Sequence, residues 1–329
     1  MTRASTHKAR YDRHKALVEK RLAGLVKEPV PCSLYEPLKY VLAGGGKRIR
    51  PVLLMLACEA VGGNARNAIH AGAAIEILHN FTLVHDDIMD NAGSRRGRKT
   101  VHIKWDTNVA ILVGDELLAL AYRELLQTKS PNIQRIARTF TDGVVEVCEG
   151  QAYDKEFETR SGVTVDDYIL MIDKKTAKMV SVAAEIGALV GNGSPLEIRA
   201  LRLYGHHVGL AFQIQDDLLD IMADEAELGK KIGGDLVEGK KTFLLLKAMQ
   251  SARGRDLELL KELVADKGCP PERIPEYRRI YIDTGVAAAA RRRIEREISH
   301  SKQELHRLSS TRAKAVLEWF ADMLLHRTY

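Results

Sequence analysis

The chain has 329 residues, of which 45% are hydrophobic and 29% are charged. These proportions are typical of a globular protein and exclude wholesale disorder and fibrous repeats. The formal net charge of +6 is mildly basic. It permits anionic partners, but it does not select among nucleic acid, membrane surfaces and phosphorylated metabolites.

The four cysteines are scattered along the chain, at Cys32, Cys58, Cys148 and Cys269. Because they form no CxxC pair and have no histidine pair nearby, neither a zinc site nor a disulfide framework is expected. No apolar run reaches the roughly 18 residues that suggest a transmembrane helix. The charged N-terminus also lacks the apolar core of a secretory signal. We therefore expect a cytoplasmic protein without a transmembrane segment.

Helical periodicity runs through almost the whole chain, and no alternating β-run of useful length interrupts it. We predict one all-α domain of roughly a dozen helices over residues 11–329, after a loose basic tail over residues 1–10. The longest predicted helices are Arg50–Val61, Asn67–Asp90, Ala110–Gln127, Ile133–Phe157, Val165–Val190 and Leu196–Met222.

A glycine-rich turn precedes the first of these helices and reads GGGKRIRP from Gly44 to Pro51. Glycines allow the backbone to approach a phosphate, and Lys47 and Arg50 can bind one at the start of the helix. The spacing differs from that of a P-loop. Taken alone, the turn fits a simple connection between helices equally well.

Asp86, Asp87 and Asp90 interrupt a largely apolar helix in the segment LHNFTLVHDDIMD. The i, i+4 spacing places Asp86 and Asp90 on one face of the helix, one turn apart. Adjacent carboxylates repel each other, and a hard divalent cation such as Mg²⁺ would relieve the repulsion while bridging to a phosphate. A solvated acidic face is the alternative explanation for one such cluster.

The same pattern recurs far along the chain, where Asp216, Asp217 and Asp220 interrupt another apolar helix. Two clusters that each break a buried pattern argue against two solvated faces. If the two helices face each other, six carboxylates line one pocket, which predicts a polynuclear Mg²⁺ site for a diphosphate.

Basic residues alternate with these acidic clusters. Arg95 and Arg96 follow the first cluster, and Lys230, Lys240 and Lys241 lie in a polar, glycine-rich segment after the second. Carboxylates would bind one phosphate group through metal, while lysine and arginine would bind another directly. The pattern therefore predicts two phosphorylated substrates in one cleft, with the segment Ala223–Thr242 as the candidate lid.

Together these motifs resemble the trans-isoprenyl diphosphate synthases, or polyprenyl synthetases. The motifs are GGGKRIRP, HDDIMD followed by RRG, GDELLA, GQAYDKEFE, KKTA, FQIQDDLLD and GKKIGGDLVEGKKT. They occur in the family's order between Gly44 and Thr242, and the segment EILHNFTLVHDDIMD resembles archaeal-type geranylgeranyl diphosphate synthases. The resemblance implies the isoprenoid synthase fold, a helical bundle around a deep central cavity, and a homodimer.

The resemblance also implies a role for each matching residue. The six aspartates would hold about three Mg²⁺ ions on the allylic diphosphate (dimethylallyl, geranyl or farnesyl). Residues implied to bind that diphosphate directly are Arg95, Lys175, Lys230 and Lys240, and those implied near the developing cation are Thr176 and Gln213. Residues implied to bind isopentenyl diphosphate are Lys47, Arg50, His79 and Arg96. A histidine on an apolar helix is more often a packed core residue, so only the motif context makes His79 a ligand candidate.

Elongation to the twenty-carbon geranylgeranyl diphosphate is the expected activity. Farnesyl diphosphate synthesis, or both activities together, is the alternative; a class I terpene cyclase, a non-catalytic synthase subunit and a nucleic-acid binder are weaker ones. A cyclase would not need the second diphosphate site, and a non-catalytic subunit should have lost metal-binding aspartates. A nucleic-acid binder should carry aromatic residues among its basic ones.

Product length is expected to depend on the residues before Asp86. Phe81 lies five residues earlier, roughly 7.5 Å along the helix axis, and Thr82 lies about one turn earlier. The small Thr82 would let the growing chain pass and the bulky Phe81 would stop it. The alternative is that Phe81 is a core residue and a neighbouring helix sets the floor.

Overall fold

The computed structural model describes residues 3–26, 30–223 and 232–325. The chain divides into two compact units, each built from several stretches of sequence. The first comprises Met1–Thr141, Val182–Leu201 and Arg307–Val316, and the second comprises Asp142–Ser181, Arg202–His306 and Leu317–Tyr329. The organisation as a single domain stays a prediction.

The secondary structure of the described residues is almost entirely helical, which confirms the all-α prediction. The first four α-helices are α1 (Arg3–Ala23), α2 (Cys32–Leu42), α3 (Ile49–Ala60) and α4 (Ile69–Met89). A hairpin of β1 (Ser94–Arg95) and β2 (Arg98–Lys99) follows, then α5 (Val101–Lys104), α6 (Thr107–Leu125) and α7 (Ile133–Thr159). The next elements are α8 (Val165–Ile172), a π turn (Asp173–Ala177), α9 (Lys178–Val190) and α10 (Pro195–Met222). The remaining helices are α11 (Gly234–Val237), α12 (Phe243–Ser251), α13 (Gly254–Ala265), α14 (Ile274–Asp283), α15 (Val286–Glu304) and α16 (Thr311–Leu325).

Helix α4 is the central helix of the first unit and packs against α1, α2, α3, α5 and α6. The residues from Ala71 to Leu78 are all buried, including the carboxylate Glu76. Gly72 faces Pro51 of α3 at van der Waals distance, since a Cβ there would lie 3.5 Å from the Pro51 Cβ. The helix that ends in the first aspartate cluster is therefore fixed along most of its length.

In the second unit, helix α12 packs against several other helices, as α4 does in the first. Its apolar residues Phe243, Leu244, Leu245 and Leu246 are buried, and it packs against α8, α13, α14 and α15. None of the described helices is long and apolar enough to cross a membrane.

Two details differ from the sequence-based expectation. Residues 3–10, expected in a loose tail, form the first turns of α1, where Lys8 pairs with Asp12 at 2.9 Å and Tyr11 is buried. The charged composition of this segment obscured its helical periodicity. The helix expected over Val165–Val190 is divided by the π turn, which periodicity of 3.6 residues does not reveal.

Candidate functional site

The first aspartate cluster lies at the C-terminal end of α4, and Asp90 is the C-cap residue of this helix. Asp87 is buried and accepts a hydrogen bond of 2.6 Å from Arg95 Nε. Burial raises the pKa of Asp87 even though Arg95 lies beside it. Arg95, predicted to bind the allylic diphosphate, is thus paired here with a predicted metal ligand.

The hairpin β1–β2 directs Arg95 and Arg96 to different partners. Its two-residue loop consists of Arg96 and Gly97, both left-handed with φ of 52° and 72°, as a type I′ turn requires. Arg96 Nη1 donates a hydrogen bond to the Gly45 carbonyl in the glycine-rich turn. A Cβ on Gly46 would lie 3.0 Å from that same Nη1, so the glycine allows the guanidinium to lie close to the turn.

Three arginines and a histidine form a cationic cluster beside this turn. Arg48 is buried and its Nη1 pairs with Glu76 at 2.6 Å. The Nε atoms of Arg48 and Arg50 are both buried without a hydrogen-bond partner among the described residues. Burial lowers the pKa of Arg50 and that of Arg96. Burial, followed by the charges of Arg50 and Arg96, holds the pKa of His79 well below its usual range, so its imidazole is neutral.

This cationic cluster can bind an anion. Arg50 and Arg96 carry the same charge and are partly removed from water. A bound anion would offset both the free-energy cost of burying them and the repulsion between them. Lys47 is exposed at the edge of the turn, and its backbone carbonyl accepts a hydrogen bond from Tyr11. Four predicted isopentenyl diphosphate ligands therefore lie on neighbouring segments of the first unit. The Arg48–Glu76 pair was not predicted, because Glu76 carries no motif and only its burial in an apolar helix signals a partner.

The predicted chain-length residues lie one turn before the aspartates on α4. Phe81 is buried and its ring contacts His85 edge-on, with centroids 4.7 Å apart. Thr82 Oγ1 donates to the His79 carbonyl at 2.9 Å. Gly114, from the GDELLA motif on α6, leaves room for His85, because a Cβ there would collide with His85 Nε2.

The second aspartate cluster lies on α10 in the second unit, and two of its members, Asp217 and Asp220, are buried. Asp217 accepts hydrogen bonds from the Tyr168 hydroxyl and, at 2.9 Å, from Gln213 Nε2. Burial and the charges of Asp216 and Asp220 outweigh these bonds and raise the pKa of Asp217 to about 7. Tyr168 was missed by the sequence analysis, since a tyrosine on an apolar helix resembles a core residue.

A fourth carboxylate, Asp235, extends this cluster. Its backbone N–H donates to Asp220 Oδ2 at 3.0 Å, and burial together with Asp217 and Asp220 raises its pKa well above its usual range. Asp235 belongs to the GGDLVEGKKT segment, and its position after two glycines was the available signal. Four carboxylates that repel one another in this way fit a divalent cation, which would offset part of their negative charge.

The π turn presents Lys175 and Thr176, both predicted site residues. Lys175 Nζ pairs with Asp154 Oδ2, and Thr176 Oγ1 donates to Gln213 Oε1 at 2.9 Å. Because Gln213 also donates to Asp217, its amide orientation is fixed by both neighbours. A Cβ on Gly150 of α7 would collide with the Lys175 backbone nitrogen, so this glycine allows α7 to approach the turn.

The predicted lysines after α10 have different surroundings. Lys240 Nζ lies 2.7 Å from Glu238 Oε2. Lys241 Nζ donates to the carbonyl of Phe157, in the last turn of α7, and to that of Arg160, just beyond the helix. Lys241 therefore caps the C-terminal end of α7. Lys230 and part of the candidate lid, residues 224–231, lie outside the described residues. The predicted approach of the two aspartate clusters stays a prediction.

We expect Asp217→Asn to stabilise the metal-free protein at neutral pH. Because the native pKa is raised, the native state keeps a proton that the unfolded state has lost between about pH 4 and pH 7. Stability from this group is therefore lost as pH rises through that window. The gain in Asp217→Asn should be roughly 2–4 kcal/mol at pH 8 and near zero below pH 4. Denaturant unfolding of both proteins across pH, with chelator present, measures it; a gain of the same size at pH 4 would contradict this origin.

Comparison with known proteins places these motifs in a family. The polyprenyl synthetase family model matches residues 31–280. A geranylgeranyl pyrophosphate synthase from Geoglobus acetivorans is 40% identical over 95% of this chain and 97% of its own. A short chain isoprenyl diphosphate synthase from Methanothermobacter thermautotrophicus is 37% identical over 96% and 97%.

The fold agrees with this relationship. The solved structure of a geranylgeranyl pyrophosphate synthetase from Pyrococcus horikoshii matches with a TM-score of 0.93 and 34% identity, over 99% of this chain and 100% of that one. The all-α fold is that of the isoprenoid synthases, as the resemblance implied. The chain belongs to the polyprenyl synthetase family.

Proposed function

We propose that this protein is a prenyltransferase that condenses isopentenyl diphosphate with allylic diphosphates to give geranylgeranyl diphosphate. The observation that carries the proposal is the presence of both complete aspartate clusters together with the arginine cluster around Arg50. A chain that ionises one diphosphate and holds a second needs both kinds of site. The names of its relatives from Geoglobus acetivorans and Pyrococcus horikoshii support the product.

The residues divide between two diphosphates in this proposal. The six aspartates hold about three Mg²⁺ ions on the allylic diphosphate. Additional ligands of the allylic diphosphate are Arg95, Lys175, Lys230 and Lys240. The ligands of isopentenyl diphosphate are Lys47, Arg50, His79 and Arg96. A neutral His79 can donate one hydrogen bond to that diphosphate without adding to the repulsion among the arginines.

The reaction breaks the allylic carbon–oxygen bond and forms a carbon–carbon bond. Metal held by the aspartates would supply positive charge to offset the charge that grows on the departing diphosphate. Lys47, Arg50 and Arg96 hold isopentenyl diphosphate in place, which replaces a bimolecular encounter with an oriented one. The hydroxyl of Thr176 donates its hydrogen to Gln213. The lone pairs of the Thr176 oxygen can therefore face the developing cation and stabilise it. The proton lost in the final step goes to the released diphosphate, since no side chain is an evident base.

The test is incubation with labelled isopentenyl diphosphate, Mg²⁺ and each allylic starter in turn. We expect elongation of dimethylallyl, geranyl and farnesyl diphosphates to a twenty-carbon product, identified by chromatography. A cyclic hydrocarbon from geranylgeranyl diphosphate alone would instead support a cyclase. A product that stops at fifteen carbons would support farnesyl diphosphate synthesis, and no turnover would support a non-catalytic subunit.

Phe81→Ala should lengthen the longest product by at least one five-carbon unit. The burial of Phe81 against His85 supports its place as the floor for the growing chain. Thr82→Phe is the converse variant and should shorten the product to fifteen carbons. Chromatography of dephosphorylated products measures both. An unchanged maximum length in Phe81→Ala would assign the floor to another residue.

We also propose a homodimer, which the family resemblance implies. The exposed apolar side chains of Ile111 and Leu112 on α6 support it, because they exceed what a solvated helix face needs. Light scattering should give about twice the mass of one chain for the active protein. An active species with the mass of one chain would contradict the proposal.

A further inference from the structure

A second cluster of potential ligands lies in the second unit, among residues that belong to neither aspartate cluster. Helices α8, α10 and α15 border a cleft of about 590 Å³ in the second unit. The cleft contains His206, His207 and His300, together with the carboxylates of Asp173 and Glu297. The mechanism proposed above uses none of these residues.

Three of these side chains converge on one point. His207 on α10 and Glu297 and His300 on α15 each offer one ligand atom, and these atoms all lie within 4.8 Å of one another. Glu297 and His300 are three residues apart, so they project from the same face of α15. Ligand atoms around a tetrahedral ion with bonds of about 2.0–2.2 Å lie roughly 3.3–3.6 Å apart, so side-chain rotations that bring these atoms closer by up to about 1.5 Å would complete the site.

The existing hydrogen bonds prepare these groups for a cation. His207 Nδ1 lies 2.8 Å from Glu297 Oε2, and Arg293 Nε donates to Glu297 Oε1 at 2.7 Å. Burial would raise the pKa of Glu297, but the hydrogen bond from His207 and the charge of Arg293 lower it to about 2, so the group is a carboxylate. An ion bound by His207 Nδ1 and Glu297 Oε2 would take the place of the proton that these two atoms now share.

His300 has the freedom that an entering ion needs. It is accessible to solvent and makes no hydrogen bond within the described residues; its contact with His207 is between rings, with centroids 5.2 Å apart. His206 is held instead by Asp173, at 2.9 Å. The cleft also contains the carboxylates of Asp166 and Asp173 and the guanidinium groups of Arg293 and Arg296. With Glu297, the carboxylates outnumber the arginines, so the charges in the cleft do not exclude a cation.

We propose that His207, Glu297 and His300 bind a late first-row divalent ion, such as Zn²⁺, Ni²⁺ or Co²⁺, separately from the Mg²⁺ of the aspartate clusters. Two imidazoles and one carboxylate favour these ions over Mg²⁺, which prefers oxygen ligands. The bound ion connects α10, which carries the second aspartate cluster, to α15.

Titration with Co²⁺ tests the proposal because the two kinds of site give different spectra. The protein is first freed of metal with chelator and then held in excess Mg²⁺ to occupy the aspartate clusters. We expect one Co²⁺ per chain to bind with the intense visible absorption of a low-coordinate ion with nitrogen ligands. Only the weak absorption of an octahedral ion with oxygen ligands would overturn the assignment.

His300→Ala and His306→Ala form the matched pair of variants. His306 is exposed just beyond α15 and is not part of the cluster, so its loss should leave Co²⁺ affinity unchanged. His300→Ala should weaken binding by about tenfold or more, while leaving prenyl transfer with Mg²⁺ unchanged. His207→Gln is the second variant and should weaken binding similarly. Equal affinity in His300→Ala and the unmodified protein would overturn the proposal.

Discussion

Asp216→Ala should lower kcat for prenyl transfer by about a thousandfold or more, and Asp86→Ala should do the same. Each substitution removes a proposed metal ligand whose charge opposes the charge developing on the departing diphosphate. Asp216 is a cleaner choice than Asp217, because losing Asp217 would leave the buried Tyr168 hydroxyl without its acceptor. That loss would destabilise the protein as well as the site.

Steady-state kinetics at saturating Mg²⁺ measures the effect, with unfolding curves to show that the variants are folded. Asp266→Ala is the matched control, since Asp266 is exposed at the C-terminal end of α13 and belongs to neither cluster. It should retain full activity. Near-normal turnover in Asp216→Ala or Asp86→Ala at high metal concentration would contradict the proposed metal site.

Arg96→Ala should raise KM for isopentenyl diphosphate by about 10–100-fold while changing KM for the allylic substrate far less. A charge-assisted hydrogen bond to a buried anion is worth about 1.5–3 kcal/mol, which corresponds to that range. Arg96 lies with Arg50 and the neutral His79 in the cationic cluster, whereas its chain neighbour Arg95 pairs with Asp87. Lys47→Ala tests the same site with a residue whose side chain is exposed.

Arg98→Ala provides the control on the same hairpin. Its guanidinium stacks on the Tyr40 ring, 3.7 Å from the centroid, and has no proposed role in diphosphate binding. KM for both substrates should stay within about twofold of normal in this variant, a change of under 0.5 kcal/mol. Equal increases for both substrates in Arg96→Ala and Lys47→Ala would mean that the two diphosphate sites are assigned wrongly.

The sequence predicted the helices and the chemistry-bearing motifs better than it predicted their neighbours. Long apolar periodicity gave α4 and α10 to within a few residues, and the aspartates were visible because each cluster breaks that periodicity. Residues without such a contrast were missed. Tyr168 and Glu76 lie on buried helices, and their significance depends on Asp217 and Arg48, which are distant in sequence.

The histidine cluster shows the same limit for a different reason. Glu297 and His300 are close in sequence, but His207 joins them only through the packing of α10 on α15. Each residue alone resembles an ordinary solvated helix position. Helical spacing predicts which residues share a face, and it carries no information about which distant face will lie opposite.

The π turn at Asp173–Ala177 has an evolutionary consequence. A π turn is an α-helix with one residue inserted, so deleting a single codon there would restore a regular helix without a break. The deletion would leave Lys178 and the following residues on nearly the same face, because the extra residue is accommodated within the turn, but it would remove the bulge that carries Lys175 and Thr176. Lys175 and Thr176 therefore owe their position to an insertion of one residue. The geometry of this part of the site could have been gained, and could be lost, in a single genetic event.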